Sequence, residues 1–133
     1  MKDAQHLRIA RPTDDLDALF AFYTEALGFE KLGEFRDHEG FDGVMLGHSE
    51  IPYHFEFTHA HGHKVGRAPT RENLLVFYFA NYSSWQEAVS RIEGFGASPV
   101  TSFNPFWDLH GQTYEDPDGY RIVLRNGPWP IQA

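Results

Sequence analysis

Alternating apolar and polar residues near the end of the chain predict two β-strands joined by a tight turn. Pro117 presets the backbone of the first central turn position, Gly119 relieves the exit, and Asp116 can hydrogen-bond back onto the turn backbone. Beyond the turn, one face is apolar and the other holds a valine between two arginines: Tyr120, Ile122 and Leu124 against Arg121, Val123 and Arg125. Because side chains alternate across a strand, we expect the charged face to line a wet cavity or to meet solvent.

The first half of the chain opens with a strand and a helix. A short alternating strand is predicted at 7–11, and Thr13 and Asp14 are suitable N-caps for a helix that ends at Gly28. The helix carries an apolar stripe at helical spacing, formed by Leu16, Leu19, Phe20, Tyr23 and Leu27. We expect this stripe to face a sheet.

Three further strands are predicted in the first half, at 29–35, 43–47 and 51–58. The last is the clearest, because three aromatic residues alternate with three polar ones: Tyr53, Phe55 and Phe57 against His54, Glu56 and Thr58. From 59 to 70 the chain is polar and lacks periodicity, so we predict a linker or loop there. The order of elements in the first half is therefore βαβββ.

The second half predicts the same order. A β-prone strand at 73–80 precedes the capping box Ser84-Trp-Gln-Glu87, and the helix that follows ends at Gly94 or Gly96. Short strands are predicted at 98–103, 112–115 and 120–125. Gly28 and Gly96 are 68 residues apart, as are Gly43 and Gly111. We therefore predict a duplicated module within one domain spanning 1–133, with module 1 at about 6–58, a linker at about 59–71 and module 2 at about 72–127.

Composition restricts the classes of partner. The chain has 133 residues, of which 41% are hydrophobic, enough for one core. Its formal net charge of −8 argues against a nucleic-acid surface, because phosphate binding needs clustered Lys and Arg, and favours a neutral or cationic small molecule. The chain has no cysteine, so any metal would be held by His, Asp, Glu or water. Residues 1–6 do not resemble a signal peptide and the apolar run at 74–80 is too short to span a bilayer, so we expect a cytoplasmic protein without membrane binding.

Several motifs are similar to those of the vicinal oxygen chelate superfamily, which includes glyoxalase I, extradiol dioxygenases, fosfomycin-resistance enzymes and bleomycin-binding proteins. In order, they are Asp15-Leu16, Phe22-Tyr23-Thr24, Leu27-Gly28-Phe29 and Glu115-Asp-Pro-Asp-Gly-Tyr120. Together with the duplication they cover nearly the whole chain. The resemblance implies an α+β fold, in which two tandem βαβββ modules form a curled, cup-shaped mixed sheet with helices outside, and it implies pairing of modules, for which we expect a homodimer.

The resemblance also implies where a metal would bind. Metal-dependent members place His, Glu or Gln on the first and last strands of each module. These positions correspond here to Arg8, Glu56, a residue near Asn73 or Leu75, and Val123. Among these only Glu56 agrees with the usual ligands, whereas a divalent ion needs about three protein donors and is repelled by a guanidinium. We therefore expect no metal cofactor.

Histidines suggest an alternative, a rearranged site for one divalent metal ion. His54 and Glu56 share a strand face, and His59, His61 and His63 follow shortly after. The competing interpretation, which we favour, is that the His-rich loop is solvated and that His54 and Glu56 hydrogen-bond each other or a ligand.

The resemblance implies that Arg8 and Glu56 face the same cavity from strands that are neighbours in the family fold. An ion pair would explain both residues, but its desolvation cost makes it a poor device for stability alone, so a role in orienting a ligand is equally supported. Aromatic residues are 16% of the chain, and Phe77, Trp107 and Tyr114 are candidates for the walls of a pocket. For Phe77 we favour a place in a core or an interface.

Two functions remain. The first, which we favour, is a metal-free protein that binds a small molecule in the cup, with ligand-binding candidates Arg8, His54, Glu56, Phe77, Trp107, Tyr114 and Arg121. The second is a metal-dependent lyase, isomerase or dioxygenase with Glu56, His54 and a loop histidine as metal ligands, or a metal-free enzyme with Glu56 as catalytic base. A nearby Arg8 counts against Glu56 as a base, because a guanidinium stabilises the charged form of a carboxyl group.

Overall fold

The computed structural model describes residues 1–131 and divides the chain into two compact units, Met1–Gly66 (unit 1) and Arg67–Ala133 (unit 2). Each unit combines a mixed sheet with one main helix, so the α+β prediction is confirmed. The strands within residues 1–131 are β1 Leu7–Pro12, β2 Glu30–His38, β3 Phe41–Gly47, β4 Tyr53–Ala60, β5 Leu74–Phe79, β6 Gly111–Glu115 and β7 Arg121–Asn126. The helices are α1 Leu16–Ala21, which continues as a π-helical turn at Phe22–Ala26, α2 Tyr82–Phe95, and a 3₁₀ turn at Pro105–Asp108.

Unit 1 has the predicted βαβββ order, and its sheet runs β1-β4-β3-β2 with β1 parallel to β4. Its core lies between the sheet and the first helix, where the ring of Tyr23 packs 4.7 Å from Phe57 and 5.7 Å from Phe55. Side chains alternate along β4, so His54 and Glu56 point to the other side of the sheet. We call this side, which also carries Arg8 and Met45, the polar face of unit 1.

The start of α1 differs from the prediction. Its N-cap is Asp15, whose side chain accepts a hydrogen bond from the backbone N–H of Ala18 at 3.0 Å. The carboxylate of Asp14 is not available for capping, because it accepts the backbone N–H groups of Val65 and Gly66, both at 2.9 Å. A contact with a distant segment thus displaces the cap by one residue.

Unit 2 departs from the predicted order at one strand. Its sheet runs β5-β7-β6, with β5 parallel to β7. The strand predicted at 98–103 is reduced to a single bridge between Val100 and Thr113. The N–H of Ser102 donates instead to the carboxylate of Asp108 at 3.2 Å, so a side chain takes the place of a ladder partner.

The N-cap of helix α2 lies three residues before the predicted cap. Asn81 is its N-cap and accepts the N–H groups of Ser83 and Ser84, which puts the expected capping serine inside the first turn. The helix ends, as predicted, at Gly96, whose φ of 117° is left-handed and favours glycine. Within residues 1–131, the helices are too short or too polar to cross a membrane.

The last strand is buried on both faces, which contradicts the expectation that its charged face is wet. On that face Arg121 is 5% exposed and Arg125 is 6% exposed. The other face packs under α2, where the indole N–H of Trp85 donates to the carbonyl of Leu124 at 2.8 Å. Two guanidinium groups are therefore buried in unit 2, and buried charges require partners.

The turn between β6 and β7 has the predicted geometry. The Oδ1 atom of Asp116 accepts the N–H groups of Asp118 at 2.9 Å and Tyr120 at 3.0 Å. Gly119 adopts a φ of 88°, which other residues adopt only with strain. One carboxylate oxygen thus satisfies the two backbone donors that close the hairpin.

The Asp116→Ala variant is expected to lower the free energy of unfolding by about 1–3 kcal/mol, because both N–H groups lose their acceptor. Asp116→Asn is the matched control, since it keeps the Oδ1 acceptor, and we expect it to lose less than half as much. Urea unfolding followed by circular dichroism measures both. Equal losses in the two variants would contradict the role assigned to Oδ1.

Candidate functional site

The polar face of unit 1 brings together three of the predicted ligand-binding residues. Arg8 on β1 lies beside His54 on β4 in the parallel register. Its Nε donates to Nε2 of His54 at 2.9 Å, and its Nη1 donates to Oε2 of Glu56 at 3.2 Å. A fourth residue, His6, places its Nε2 2.6 Å from Nδ1 of His54. We call these four residues the Arg8 cluster.

No role was predicted for His6 from the sequence, although its spacing from Arg8 indicated one. It lies two residues before Arg8, so an extension of the predicted strand by one residue would have placed both on one face. The strand was predicted to begin at residue 7, and β1 does begin there. The extended chain just before a strand can therefore contribute to a site on that strand's face.

The groups of the cluster differ in their access to solvent. The side chain of Arg8 is 48% exposed, whereas that of Glu56 is 16% exposed. Two of the nitrogen atoms of Arg8 are used by His54 and Glu56, and a guanidinium has five N–H donors. The carboxylate of Glu56 is therefore largely buried and paired with a positive charge, while the guanidinium of Arg8 retains N–H donors that a ligand can reach.

His54 is held in one neutral form. Because Arg8 donates to Nε2, that nitrogen carries a lone pair and the proton is on Nδ1, from which it is donated to His6. Burial lowers the pKa of His54 from its ordinary value of 6.5, the positive charge of Arg8 lowers it further, and His6 acts in the same direction when it is protonated. The cluster thus has one permanent cation and a histidine that resists protonation.

Folding stability should fall as the pH drops below about 6.5, because the pKa of His54 is lower in the folded than in the unfolded chain. The unfolded state then takes up the proton first, so the stabilisation is complete above this pH and is lost below it. We expect His54→Gln to reduce the decline in the free energy of unfolding between about pH 7 and pH 5, measured by urea unfolding. His63→Gln, in the exposed loop, is the control, and an unchanged profile in His54→Gln would contradict the prediction.

The surface beside the Arg8 cluster is apolar. Met45 on β3 is the cross-strand partner of Glu56. The ring of Phe35 lies over Gly43, where an added Cβ would come within 2.2 Å of it. Both side chains are half-buried. The polar face therefore offers hydrogen-bond donors at one end and an apolar floor at the other.

The His-rich segment does not join the cluster. His59 lies on the opposite side of β4, where its Nδ1 is 3.0 Å from the carbonyl oxygen of Thr13. His61 pairs with Asp42, with 3.1 Å between Nε2 and Oδ1. Within residues 1–131, His, Asp and Glu side chains do not gather into groups of three or more that could hold a metal ion.

The superfamily's metal positions in unit 1 do not fit a metal. Of the two superfamily positions, Glu56 could offer its carboxylate oxygens to a metal, and the rearranged site would add the lone pair of His54. Arg8 hydrogen-bonds both of these groups. The residue at the remaining position is Arg8 itself, which has no lone pair to offer. His54 and Glu56 therefore serve as hydrogen-bond acceptors for the guanidinium of Arg8 and not as ligands of a divalent ion.

The corresponding positions in unit 2 carry no ligand groups. The strand register pairs Val123 with Val76, and Leu74 occupies the place that Arg8 has in unit 1. The sequence placed this position near Asn73 or Leu75, of which Asn73 precedes β5 and Leu75 lies on the other face of that strand. The correction changes the residue but not the chemistry, because leucine and valine cannot bind a metal.

Two aromatic candidates of unit 2, Tyr114 and Phe77, lie on the face of the sheet that α2 covers. Tyr114 is fully buried, and its hydroxyl donates to Glu93 of α2 at 2.5 Å. Burial and this hydrogen bond raise the pKa of Tyr114. Phe77 pairs with Leu124 and so shares that face of the sheet. Tyr114 therefore belongs to the core under α2, whereas Phe77 is half-buried on the same face of the sheet.

Trp107 and Arg121 lie in different surroundings. Trp107 borders a cleft of about 200 Å³ together with Arg71 and Phe103. Arg121 donates from Nε to Glu115 at 3.0 Å and from Nη1 to the carbonyl of Thr101 at 3.0 Å. Trp107 is therefore available to a small molecule, whereas Arg121 already has protein partners on both sides.

Two family models match the chain. The YycE-like N-terminal domain matches residues 7–58, and the YycE-like C-terminal domain matches residues 72–126. The uncharacterized protein YycE of Bacillus subtilis (strain 168) is 44% identical over 123 residues, which are 92% of this chain and 88% of that protein.

Solved structures of known proteins have the same fold. The crystal structure of YycE from Bacillus subtilis, described as a protein of unknown function and a candidate glyoxalase/fosfomycin resistance protein, has a TM-score of 0.83 at 44% identity and covers 90% of this chain and 88% of that chain. Glyoxalase I of Leishmania major has a TM-score of 0.69 at 22% identity, with coverage of 90% and 84%. TnmS3, an antibiotic binding protein from Streptomyces sp. CB03234, has a TM-score of 0.65 at 17% identity, with coverage of 96% and 99%. The chain belongs to the YycE-like family of the vicinal oxygen chelate superfamily.

Proposed function

We propose that this chain binds a small molecule on the polar face of unit 1 without the metal ion that is usual in the superfamily. The observation that supports this proposal is the position of Arg8. Its guanidinium stands where metal-dependent members have a ligand, and it hydrogen-bonds both His54 and Glu56. A fixed cation therefore takes the place of the metal ion as the positive centre of the site.

The chemistry of the ligand follows from the donors that remain. Arg8 keeps N–H groups that are accessible, while Glu56 is already paired. The site therefore suits a hydrogen-bond acceptor such as a carboxylate, phosphoryl or carbonyl oxygen. The net charge of −8 favoured a neutral or cationic molecule, whereas Arg8 favours a neutral or anionic one. Met45 and Phe35 provide an apolar floor for the body of the same molecule.

The relatives support both a binding protein and an enzyme. TnmS3 is an antibiotic binding protein and glyoxalase I is an enzyme, and each shares only the fold with this chain. One contact favours the enzyme as a second candidate. Nε2 of His6 lies 2.6 Å from Nδ1 of His54, so His6 and Glu56 could both bind a metal ion there if Arg8 moved away. The guanidinium in contact with both His54 and Glu56 favours the metal-free binding protein.

Three probes that differ mainly in charge test the proposal: benzoate, benzamide and benzamidine. We expect benzoate to shift the NMR signals of the Met45 methyl group and the His54 ring in a saturable manner. Arg8→Met should weaken benzoate binding about tenfold or more, because a hydrogen bond to a charged group is lost. Arg36→Met, which removes an exposed charge elsewhere in unit 1, is the control and should bind as the wild type does.

The same titrations can also contradict the proposed function. If none of the three probes shifts the Met45 or His54 signals, the polar face is not a binding site for flat small molecules. If benzoate binds Arg8→Met as tightly as the wild type, Arg8 is not the anchor. If benzamidine alone binds, the ligand is a cation held by Glu56 and the polarity proposed here is wrong.

A further inference from the structure

Among the described residues, Arg125 on β7 is a buried cation without a carboxylate partner. The residue is 6% exposed, and its Nε and Nη1 atoms are fully buried without a hydrogen-bond partner in the described part of the chain. Leaving a guanidinium unpaired inside a protein is costly, so such a group is retained only when something else compensates it.

Arg121 shows what a compensated arginine looks like in the same unit. It lies on the same face of the same strand and is equally buried. It has a carboxylate from Glu115 and a carbonyl from Thr101, both at 3.0 Å. The lack of partners at Arg125 is therefore a property of that position and not of the strand.

The described neighbours of Arg125 carry no negative charge. In the sheet it lies between Tyr78 on β5 and Gly111 on β6. The ring of Phe106 lies over the guanidinium, with its centroid 5.3 Å from Cζ. Gly127 has no side chain, and an added Cβ there would lie 3.9 Å from Nε. A cation–π contact is a partial substitute for an anion, since it leaves the N–H groups unpaired.

Phe106 is also the side chain that would have to move for a ligand to reach the guanidinium of Arg125. It lies in the 3₁₀ turn Pro105–Asp108 and is 40% exposed. The turn is held by Asn104, which accepts the N–H of Phe106 at 3.0 Å. Rotation of an exposed ring does not require this backbone to move, so the cover over the guanidinium can open while the turn stays in place.

We propose that Arg125 is an anion-binding site in unit 2 that takes the carboxylate or phosphoryl group of a small molecule, with Phe106 as its cover. A guanidinium presents planar N–H donors that match both kinds of oxyanion. The aromatic ring over the site suits a ligand whose apolar part remains near Phe106. The site goes beyond the function proposed above, because it lies in the other unit and does not depend on Arg8.

Thermal unfolding in sodium acetate, sodium phosphate and sodium chloride, at equal pH and ionic strength, tests the site. We expect acetate or phosphate to raise the melting temperature of the wild type saturably, by at least about 3 °C over chloride. Arg125→Met should lose this rise while melting in chloride at the same or a higher temperature, because it removes an unpaired buried charge. Arg91→Met, on the exposed side of α2, is the control and should keep the rise.

Two results would overturn the proposal. One is the absence of a saturable rise with either anion in the wild type, and the other is an equal rise in Arg125→Met. If Arg125→Met does not fold, the Nε–H resonance of Arg125 in the wild type gives a second test. We expect this resonance to shift saturably with acetate, and a resonance insensitive to both anions would exclude the site. These outcomes are separate from those for Arg8, since they are read on different variants and different signals.

Discussion

Tyr23→Ala is expected to lower the free energy of unfolding by about 3–5 kcal/mol, the largest loss among the substitutions considered for this chain. The ring is fully buried, and its centroid lies 4.7 Å from that of Phe57, 5.7 Å from Phe55 and 5.9 Å from Phe29. Alanine would leave a cavity among aromatic rings that cannot collapse without moving α1. Because domains are stable by only about 5–15 kcal/mol, unit 1 would be close to unfolding.

Tyr23→Phe is the matched control for this prediction. It keeps the ring and removes the hydroxyl that accepts from Nη2 of Arg11 at 2.7 Å. We expect a loss of about 1.5–3 kcal/mol, as for a hydrogen bond to a charged group. Urea unfolding with hydrogen exchange of unit 1 measures both variants. A loss in Tyr23→Ala no greater than that in Tyr23→Phe would contradict the packing role of the ring.

Glu115→Ala is expected to cost about 3 kcal/mol, more than the removal of its partner Arg121. The reason is the unequal burial of the pair, whose side chains are 35% and 6% exposed respectively. Removal of Glu115 leaves a buried guanidinium with a single carbonyl partner. Removal of Arg121 leaves a carboxylate that water can reach, and a methionine can fill the buried space.

A double-mutant cycle of Glu115→Ala and Arg121→Met measures the asymmetry and the coupling between the two residues. The surface pair of Lys31 and Glu34 is the control, because its 2.8 Å contact is exposed on both sides and should contribute little. The interpretation is wrong if Arg121→Met costs more than Glu115→Ala, or if the two losses simply add.

The parts of the fold that local sequence determines were predicted from the sequence. The turn residues Asp116 and Gly119 make the predicted contacts and backbone angles, because turn chemistry depends on a few adjacent residues. The motif order also identified the vicinal oxygen chelate superfamily, which the comparisons confirm. Features fixed by distant contacts were missed, such as the cap of α1, where segment 65–66 occupies the side chain of Asp14.

The site was predicted only in part, for reasons of strand pairing and burial. The resemblance implied that the strands of Arg8 and Glu56 are neighbours, and the sharing of a face by His54 and Glu56 followed from alternation, so these three residues were expected on one face; the structure pairs the strands in parallel. Tyr114 was a candidate for a pocket wall and is fully buried, since alternation gives two faces of a strand but not which of them the helix covers. The burial of Arg125 was missed because alternation of charged and apolar residues usually indicates one wet face.

The metal content of the purified, tag-free protein, with its thermal unfolding in zinc, nickel, manganese and iron(II), tests the metal-free site around Arg8 most directly. We expect well under one equivalent of metal and no stabilisation of the wild type. In Arg8→His the guanidinium is replaced by a ligand beside His54 and Glu56, so zinc affinity should rise about tenfold or more. Near-stoichiometric metal in the wild type, with a stabilisation that Glu56→Ala abolishes, would contradict the metal-free site and establish a rearranged metal centre.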